Sequence, residues 1–433
     1  MQTKLSASKK FLAAKQDGSD LWPCPRKRSI MISKHLFQSL MGVVSSLIGT
    51  IVIFVIAGRS LGASDFGHFS VAYATCSLFG ILFDFGYMTR LLKETHATGN
   101  ETSIVLARET LIVKSVLFAL LSVLITVFAW VSGLDLALIL RLWIGVCLIS
   151  VANLYGATLR AAGRHLLDSR NNFLANICGA GFAIFLSFTD ATQHEFALVF
   201  IVTGSVHLIT TLWSWRSIGN VTPGPVTRTS LRREVMANIP YSIDALGQRS
   251  FFFLDVMILS LLTTSTTVGL YQAAQKLAQG ANIMAQPMNN VLLPRLSRAV
   301  SDKTTFKEKS RLAVNIYLGI AAGAGLAMWA LGPTMIELLY SDAFSEAKPL
   351  MWVFAILTVT RYLAASQNIQ ITALGLQKTR SIINLCSLGI FVIVAFSLGS
   401  IWGSKGVVLA FVVSFTIIAA AANWAKRKHV SLG

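Results

Sequence analysis

Acidic residues, cysteines and ligand-spaced histidines are all scarce in this 433-residue chain. Asp and Glu number 19 against 37 Lys and Arg, a formal charge of +18. The five cysteines, at 24, 76, 147, 178 and 386, form no CxxC pair, and four lie in apolar stretches. A disulfide framework and a thiolate metal site are therefore not expected. The seven histidines show no HExxH or other ligand spacing, and no glycine-rich phosphate loop is present. Neither a cofactor nor a metal is expected. No apolar core of signal-peptide length interrupts the N-terminal tail, so no cleaved leader is expected.

What the chain has instead is apolar length. Residues 36–58, 68–92, 109–131, 136–159, 172–189, 196–215, 238–262, 268–293, 311–331, 349–373, 382–398 and 406–424 form twelve apolar stretches, each near the length that spans a bilayer as a helix; they are numbered here as spans 1 to 12. With the N-terminus inside, about 29 of the 37 Lys and Arg fall on inner connections and tails, and three (Arg59, Lys348, Lys405) on outer ones. The remaining five lie within spans. Such a charge balance elsewhere points to nucleic acid. Spread over seven inner segments, it reads as the positive-inside signal, and no nucleic acid partner is expected. Trp130, Trp213, Trp215, Trp329, Trp352 and Trp424 sit near span ends, as an aromatic belt requires. The chain therefore reads as an all-α, multi-pass protein of the cytoplasmic (inner) membrane with both termini cytoplasmic. Its outer connections are too short for a folded domain, so binding or chemistry must lie within the bundle or at the inner face.

The segment 216–237, with Pro223, Gly224, Pro225, Arg228, Arg232 and Arg233, divides the spans into two sixes. The expected layout is a basic tail at 1–35, an N-lobe at 36–215, a cytoplasmic linker at 216–237, a C-lobe at 238–424 and a C-terminal tail at 425–433. The halves echo each other. Asp65-Phe-Gly-His-Phe69 aligns with Thr267-Val-Gly-Leu-Tyr271, and Ala161-Ala-Gly-Arg164 with Ala373-Leu-Gly-Leu376. Six spans per half gives both halves the same orientation, a parallel repeat found in transporters.

Span 8 is unusually polar. Gln272, Gln275, Lys276, Gln279, Asn282, Gln286, Asn289 and Asn290 recur every three or four residues, which places them on one helix face. Amides facing lipid would lose their hydrogen bonds. The stripe is expected to line a wet lumen, with Gln272, Gln279 and Gln286 as substrate contacts; interhelical hydrogen bonding is the plainer alternative. Asp244, Gln248 and Asp255 share a face of span 7, and Pro240 and Pro287 can kink spans 7 and 8.

Charges within the spans need a partner or a use. Asp84, Asp244 and Asp255 are candidates for ion coupling, with H+ and Na+ both open. Lys114 can snorkel to the inner surface. Asp255 and Lys276 lie at similar depth on consecutive helices, where an ion pair is one reading. Arg249 and Arg361 have no acid at their own depth, and together they are expected to hold an anion, with Arg141 and Lys276 as a further cationic site toward the exit.

The segments Arg59-Ser-Leu-Gly-Ala-Ser-Asp-Phe-Gly67, Asp84-Phe-Gly86, Asp255-Val-Met-Ile-Leu259, Val268-Gly-Leu-Tyr271 with Lys276-Leu277, Pro294-Arg-Leu296 and Ala373-Leu-Gly375 resemble the polysaccharide exporters of the MOP (multidrug/oligosaccharidyl-lipid/polysaccharide) superfamily. Wzx-type O-antigen and exopolysaccharide flippases are members. The resemblance covers about residues 36–424. It implies two six-helix lobes that rock about a central cavity, and a flippase for an undecaprenyl-pyrophosphate-linked oligosaccharide rather than an enzyme. The expected partners are that lipid-linked oligosaccharide, the bilayer and other polysaccharide-assembly proteins. A MATE-like multidrug or cation antiporter is the alternative, disfavoured because cationic drugs call for acids. A membrane polymerase or ligase would want a large outer loop, which is absent.

Overall fold

The structure is a computed structural model that describes the backbone of residues 25–87, 90–91, 100–216 and 228–432. Among the described residues each predicted span falls largely on helix, and no strand occurs. Among the described residues, seven helices are long and apolar enough to cross a membrane. Two of them, Ser45–Asp84 and Gln377–His429, turn at Gly62 and Gly403 and hold two predicted spans each. The pair Val235–Phe252 and Leu254–Leu262, bent by 49°, forms span 7 as one broken crossing. His165–Leu186 is span 5. Span 8 is also broken, into Ser265–Ala281 and Ala285–Ala299. The protein is an all-α integral membrane protein of about twelve transmembrane helices in two six-helix lobes around a central cavity.

Local chemistry explains the helix ends. The helix that carries span 1 starts at Pro25, where proline's missing N–H costs nothing; residues 1–24 of the basic arm lie outside the described residues. Asp135, Thr192, Thr264 and Asp302 each cap the helix that follows, and Thr192 forms a capping box with Glu195. In the segment expected to link the lobes, 217–227 is not described and helix Arg228–Arg249 begins at its distal part.

The two halves repeat at atomic detail. Helices Leu136–Ala161 and Lys348–Ala373 both end at an alanine followed by a left-handed glycine, Gly163 (φ 74°) and Gly375 (φ 76°). In one, Arg164 N–H donates to Leu159 and Gly163 N–H to Arg160; in the other, Leu376 N–H donates to Ile371 and Gly375 N–H to Thr372. These are the two bonds of a Schellman cap, and only glycine enters that conformation without strain.

The breaks in spans 7 and 8 have separate causes. In a continuous helix the Pro287 ring would collide with the Ile283 carbonyl, and the chain instead makes tighter bonds, Ile283 N–H to Gly280 and Ala285 N–H to Asn282. In span 7 the tight turn Ser250–Phe252 sends neighbouring rings to different places. Phe251 packs on Phe391, Phe411 and Phe415 of the C-lobe, while Phe253 meets Tyr73 of span 2.

One apolar core runs through both lobes. On the face away from most basic residues, spans 2 and 8 meet through glycine. A Cβ on Gly67 would run into the Ser265 carbonyl, and one on Gly269 into the Ala63 carbonyl. The contact is reciprocal, each glycine lying against the residue one turn before the other. Phe66 adds ring contacts of 6.2 Å with Tyr340 and 6.0 Å with Phe344, all three fully buried. The lobes are thus closed together at this end, away from most basic residues.

Candidate functional site

Below that contact lies a cavity of about 720 Å³. Its walls come from both lobes: Ser46, Leu47 and Thr50 of span 1, Tyr73 of span 2, Arg249, Phe252 and Phe253 of span 7, Lys276, Gln279 and Asn282 of span 8, Arg361 and Asn368 of span 10, and Phe415 of span 12. Counting from the outer ends of spans 8 and 10, these positions lie roughly 17–30 Å down the helices at 1.5 Å per residue. The space therefore runs from mid-membrane toward the basic face. Three cations line it, and among the described lining residues there is no carboxylate.

Each cation is held differently. Arg249 donates from Nη1 to Asp84 Oδ2 at 2.8 Å, an ion pair across the two lobes. Lys276 is buried, with Nζ 3.9 Å from the Phe54 ring centre and 5.6 Å from that of Tyr73. Arg361 lies between Phe252 and Phe415, at 5.1 and 5.3 Å from their ring centres. Arg361 is stacked on rings, and no ion pair ties its donors to a carboxylate among the described residues. Phe252 joins two of these cations, since it faces Arg361 and lines the cavity beside Arg249.

A second cavity of about 310 Å³ adjoins the first, sharing Tyr73, Arg249, Phe252 and Phe253, and reaches into the N-lobe to Asp84, Ser150 and Asn153. Asp84 is the junction. Lys114 Nζ approaches its Oδ1 at 3.3 Å and also donates to Ser150 Oγ at 2.6 Å and the Phe83 carbonyl at 3.2 Å. Ser150 donates to the same Oδ1. Spans 3 and 4 thus hold the carboxylate from within the N-lobe, while span 7 reaches it from the other lobe. The next residues complete the dock: Phe85 takes a left-handed φ of 47°, its carbonyl accepts from Asn238 Nδ2 at 2.6 Å, and a Cβ on Gly86 would lie 2.6 Å from the Tyr241 backbone. A bulky residue with positive φ is strained, and here the strain sits at an inter-lobe contact.

Several expectations need correction. Arg249 does have an acid within reach, because the break in span 7 and the length of the side chain bring it to Asp84. Lys114 does not snorkel; it is 3% exposed and bound to Asp84. Asp255 and Lys276 are not an ion pair. Asp255 is fully buried and accepts from Tyr271 Oη at 2.5 Å and from Gln275 Nε2, while Lys276 turns to the aromatic rings. Gln272 does not face a lumen; it is 2% exposed and its Oε1 has no partner. Of the described stripe residues, Lys276, Gln279 and Asn282 in its middle reach the cavity, and Asn289 accepts from Tyr317. Arg141 is half-buried and lines neither of the two cavities. The side chains of Asp244, Gln248, Gln286 and Asn290 lie outside the described residues. Asp84, Tyr73, Phe252 and Phe415 belong to the site although Asp84 alone carried a sequence signal, as an acid within a span.

A bundle of two parallel six-helix lobes around a shared cavity defines a membrane transporter. Solved structures agree on the fold. The inward-facing form of a multidrug resistance MATE family transporter of the MOP superfamily is 15% identical, with a TM-score of 0.71 over 93% of this chain and 98% of that one. The outward-facing form of such a transporter gives 0.60, at 14% identity and 93% and 96% coverage. A MOP superfamily transporter from Pyrococcus furiosus, whose binding pocket is described as of reverse polarity, gives 0.63, at 13% identity and 93% and 95% coverage. No curated protein matches the sequence. The profile of the polysaccharide biosynthesis protein family matches residues 32–300, and the chain belongs to that family.

Proposed function

We propose that this protein flips a lipid-linked oligosaccharide of the undecaprenyl-pyrophosphate class across the cytoplasmic membrane by alternating access. The observation that carries the proposal is the cavity wall: Arg249, Lys276 and Arg361 face one space between the lobes whose described lining holds no carboxylate, and only Arg249 among them is paired with an acid, Asp84, which lies in the adjoining cavity. A cationic drug would be repelled there, whereas a pyrophosphate or acidic sugar would be held, arginine being the side chain best shaped for phosphate. Gln279, Asn282 and Asn368 offer donors and acceptors for sugar hydroxyls. About 720 Å³ is the size of a site for a drug-sized group, enough for a sugar-pyrophosphate head while the polyprenyl tail stays in the bilayer. Membership of the polysaccharide biosynthesis family supports the same cargo. The Pyrococcus furiosus transporter, described as having reverse pocket polarity and a different function, is a precedent for this fold carrying other than cationic drugs.

In this reading the basic face is cytoplasmic, as are both termini, and the closed spans 2 and 8 are the outer gate of an inward-facing state. Other polysaccharide-assembly proteins would receive the product. Coupling is assigned to Asp255 rather than Asp84. Both oxygens of Asp84 are engaged by Lys114, Ser150 and Arg249, while Asp255 Oδ1 is buried with no side-chain partner among the described residues, which makes it the better candidate to take up H+ or Na+.

The test is reconstitution in vesicles with the glycolipid in one leaflet. The protein should speed appearance of the sugar in the other leaflet. Arg361→Ala should slow it by at least about tenfold, roughly 1.4 kcal/mol, at near-normal protein abundance, and Arg361→Lys should restore part of the rate by keeping charge without the fork. Exchange of a cationic dye with no movement of glycolipid would refute the reading.

A further inference from the structure

The smaller cavity, of about 310 Å³, reaches into the N-lobe and meets the cationic space at Tyr73, Arg249, Phe252 and Phe253. We propose, on the glycolipid reading above, that it is a subsite for the sugar ring next to the pyrophosphate, with Asn153 as the residue that reads the hydroxyls of that ring. Of the two spaces, Arg361 and Lys276 line the larger alone, Asn153 and Ser150 the smaller alone, and Arg249 both. A linear pyrophosphate-sugar head with its phosphates on the cations therefore sends its first ring past Arg249 into the smaller space. That volume is near the lower bound for a small-molecule site, which suits one ring. The remaining sugars stay with Gln279, Asn282 and Asn368 in the larger cavity.

The walls match a sugar ring. The rings of Tyr73 and Phe200 lie 4.9 Å apart, and Phe253 stands 6.2 Å from Tyr73, so part of the lining is a run of aromatic rings. Aromatic faces are electron-rich at their centres and receive the C–H side of a sugar. Asn153 of span 4 is half-buried at the cavity, and its amide forms no hydrogen bond with any described residue. An amide offers both donors and an acceptor, which neighbouring hydroxyls can use together. Other occupants fit worse. A cation would need the Asp84 carboxylate, but Lys114, Ser150 and Arg249 engage both of its oxygens. A polyprenyl chain would strip water from Arg249 and Asn153 and return no hydrogen bond.

The experiment compares two lipids that differ only in the sugar, undecaprenyl pyrophosphate and undecaprenyl-pyrophosphoryl-N-acetylglucosamine. Each is titrated against the full-length protein in nanodiscs and read by native mass spectrometry. Wild type should bind the sugar-bearing lipid more tightly. Asn153→Ala should lower affinity for that lipid about fivefold, the worth of one hydrogen bond, with little change for undecaprenyl pyrophosphate. Arg361→Ala should weaken both lipids alike. Cysteine shielding gives a second readout that keeps Asn153 in place. Ile149→Cys, in the smaller cavity, should react with a small polar thiol reagent, and only the sugar-bearing lipid should shield it; Gln279→Cys, in the larger cavity, should be shielded by both. Equal affinity of wild type for the two lipids, equal loss of both in Asn153→Ala, or an unshielded Ile149→Cys would overturn the subsite and leave the flippase reading standing. Shielding of Ile149→Cys by undecaprenyl pyrophosphate would make the smaller cavity a phosphate or tail site and overturn it too. Binding of neither lipid would overturn both readings.

Discussion

Asp84 is held by two cations of different standing, and this difference has a measurable consequence. Lys114 is 3% exposed and Arg249 is 50% exposed. Replacing Asp84 by Asn leaves the Lys114 ammonium buried with only neutral partners, the Phe83 carbonyl and Ser150. Stranding one member of a buried pair costs about 3–5 kcal/mol, a large share of the 5–15 kcal/mol typical of a folded protein. Arg249→Ala is milder. It leaves Asp84 with Lys114 and Ser150, and the lost pair was half in water, where such pairs contribute about 1 kcal/mol or less. Thermal unfolding of the detergent-solubilised protein should therefore show a large drop for Asp84→Asn and a small one for Arg249→Ala. Arg249→Ala should still impair transport, since it removes a cavity cation and the inter-lobe tie. The double variant Asp84→Leu with Lys114→Met should be more stable than Asp84→Asn, because no buried charge is left unanswered and Arg249 is half exposed to solvent. Equal destabilisation by Asp84→Asn and Arg249→Ala, or a double variant no better than the single, would refute this account.

The outer contact and the polar stripe give two further tests. Ser64 Oγ and Ser265 Oγ lie 3.2 Å apart across the lobes, so a cysteine pair at these positions should cross-link readily in membranes. Gly67→Val should suppress that cross-link, since overpacking of about 1–3 kcal/mol shifts a two-state population roughly 5- to 150-fold. In span 8, a cysteine at Gln279 should react with a small polar thiol reagent, while one at Gln272 should stay protected in the inward-facing state; equal labelling would mean that the helix is rotated from the position described.

Much of the fold was legible because a bilayer imposes one length and one charge rule on every span. About twelve helical segments could be read from apolar runs alone. The repeat was legible only as two short alignments, yet Gly67 with Gly269 and Gly163 with Gly375 prove to be positions where backbone geometry demands glycine. The site was harder. Periodicity groups the amides of span 8 on one face but does not say what covers that face, and within the one helix Ser265–Ala281 Gln272 is packed into the core while Lys276 and Gln279 line the cavity. Depth estimates assumed straight helices, so the bend in span 7 hid the Arg249–Asp84 pair, whose members lie 165 residues apart.

The reciprocal glycines carry a lesson for genetics. The obstacle that a side chain at Gly67 or Gly269 would meet is main-chain carbonyl, at Ser265 or Ala63, and no trimming of a neighbouring side chain removes a carbonyl. Second-site revertants of a bulky substitution there should therefore not cluster around the lesion. They should arise at the far end of the molecule, at Asp84, Asn238 or Arg249, where loosening one clasp restores the balance that the other has lost.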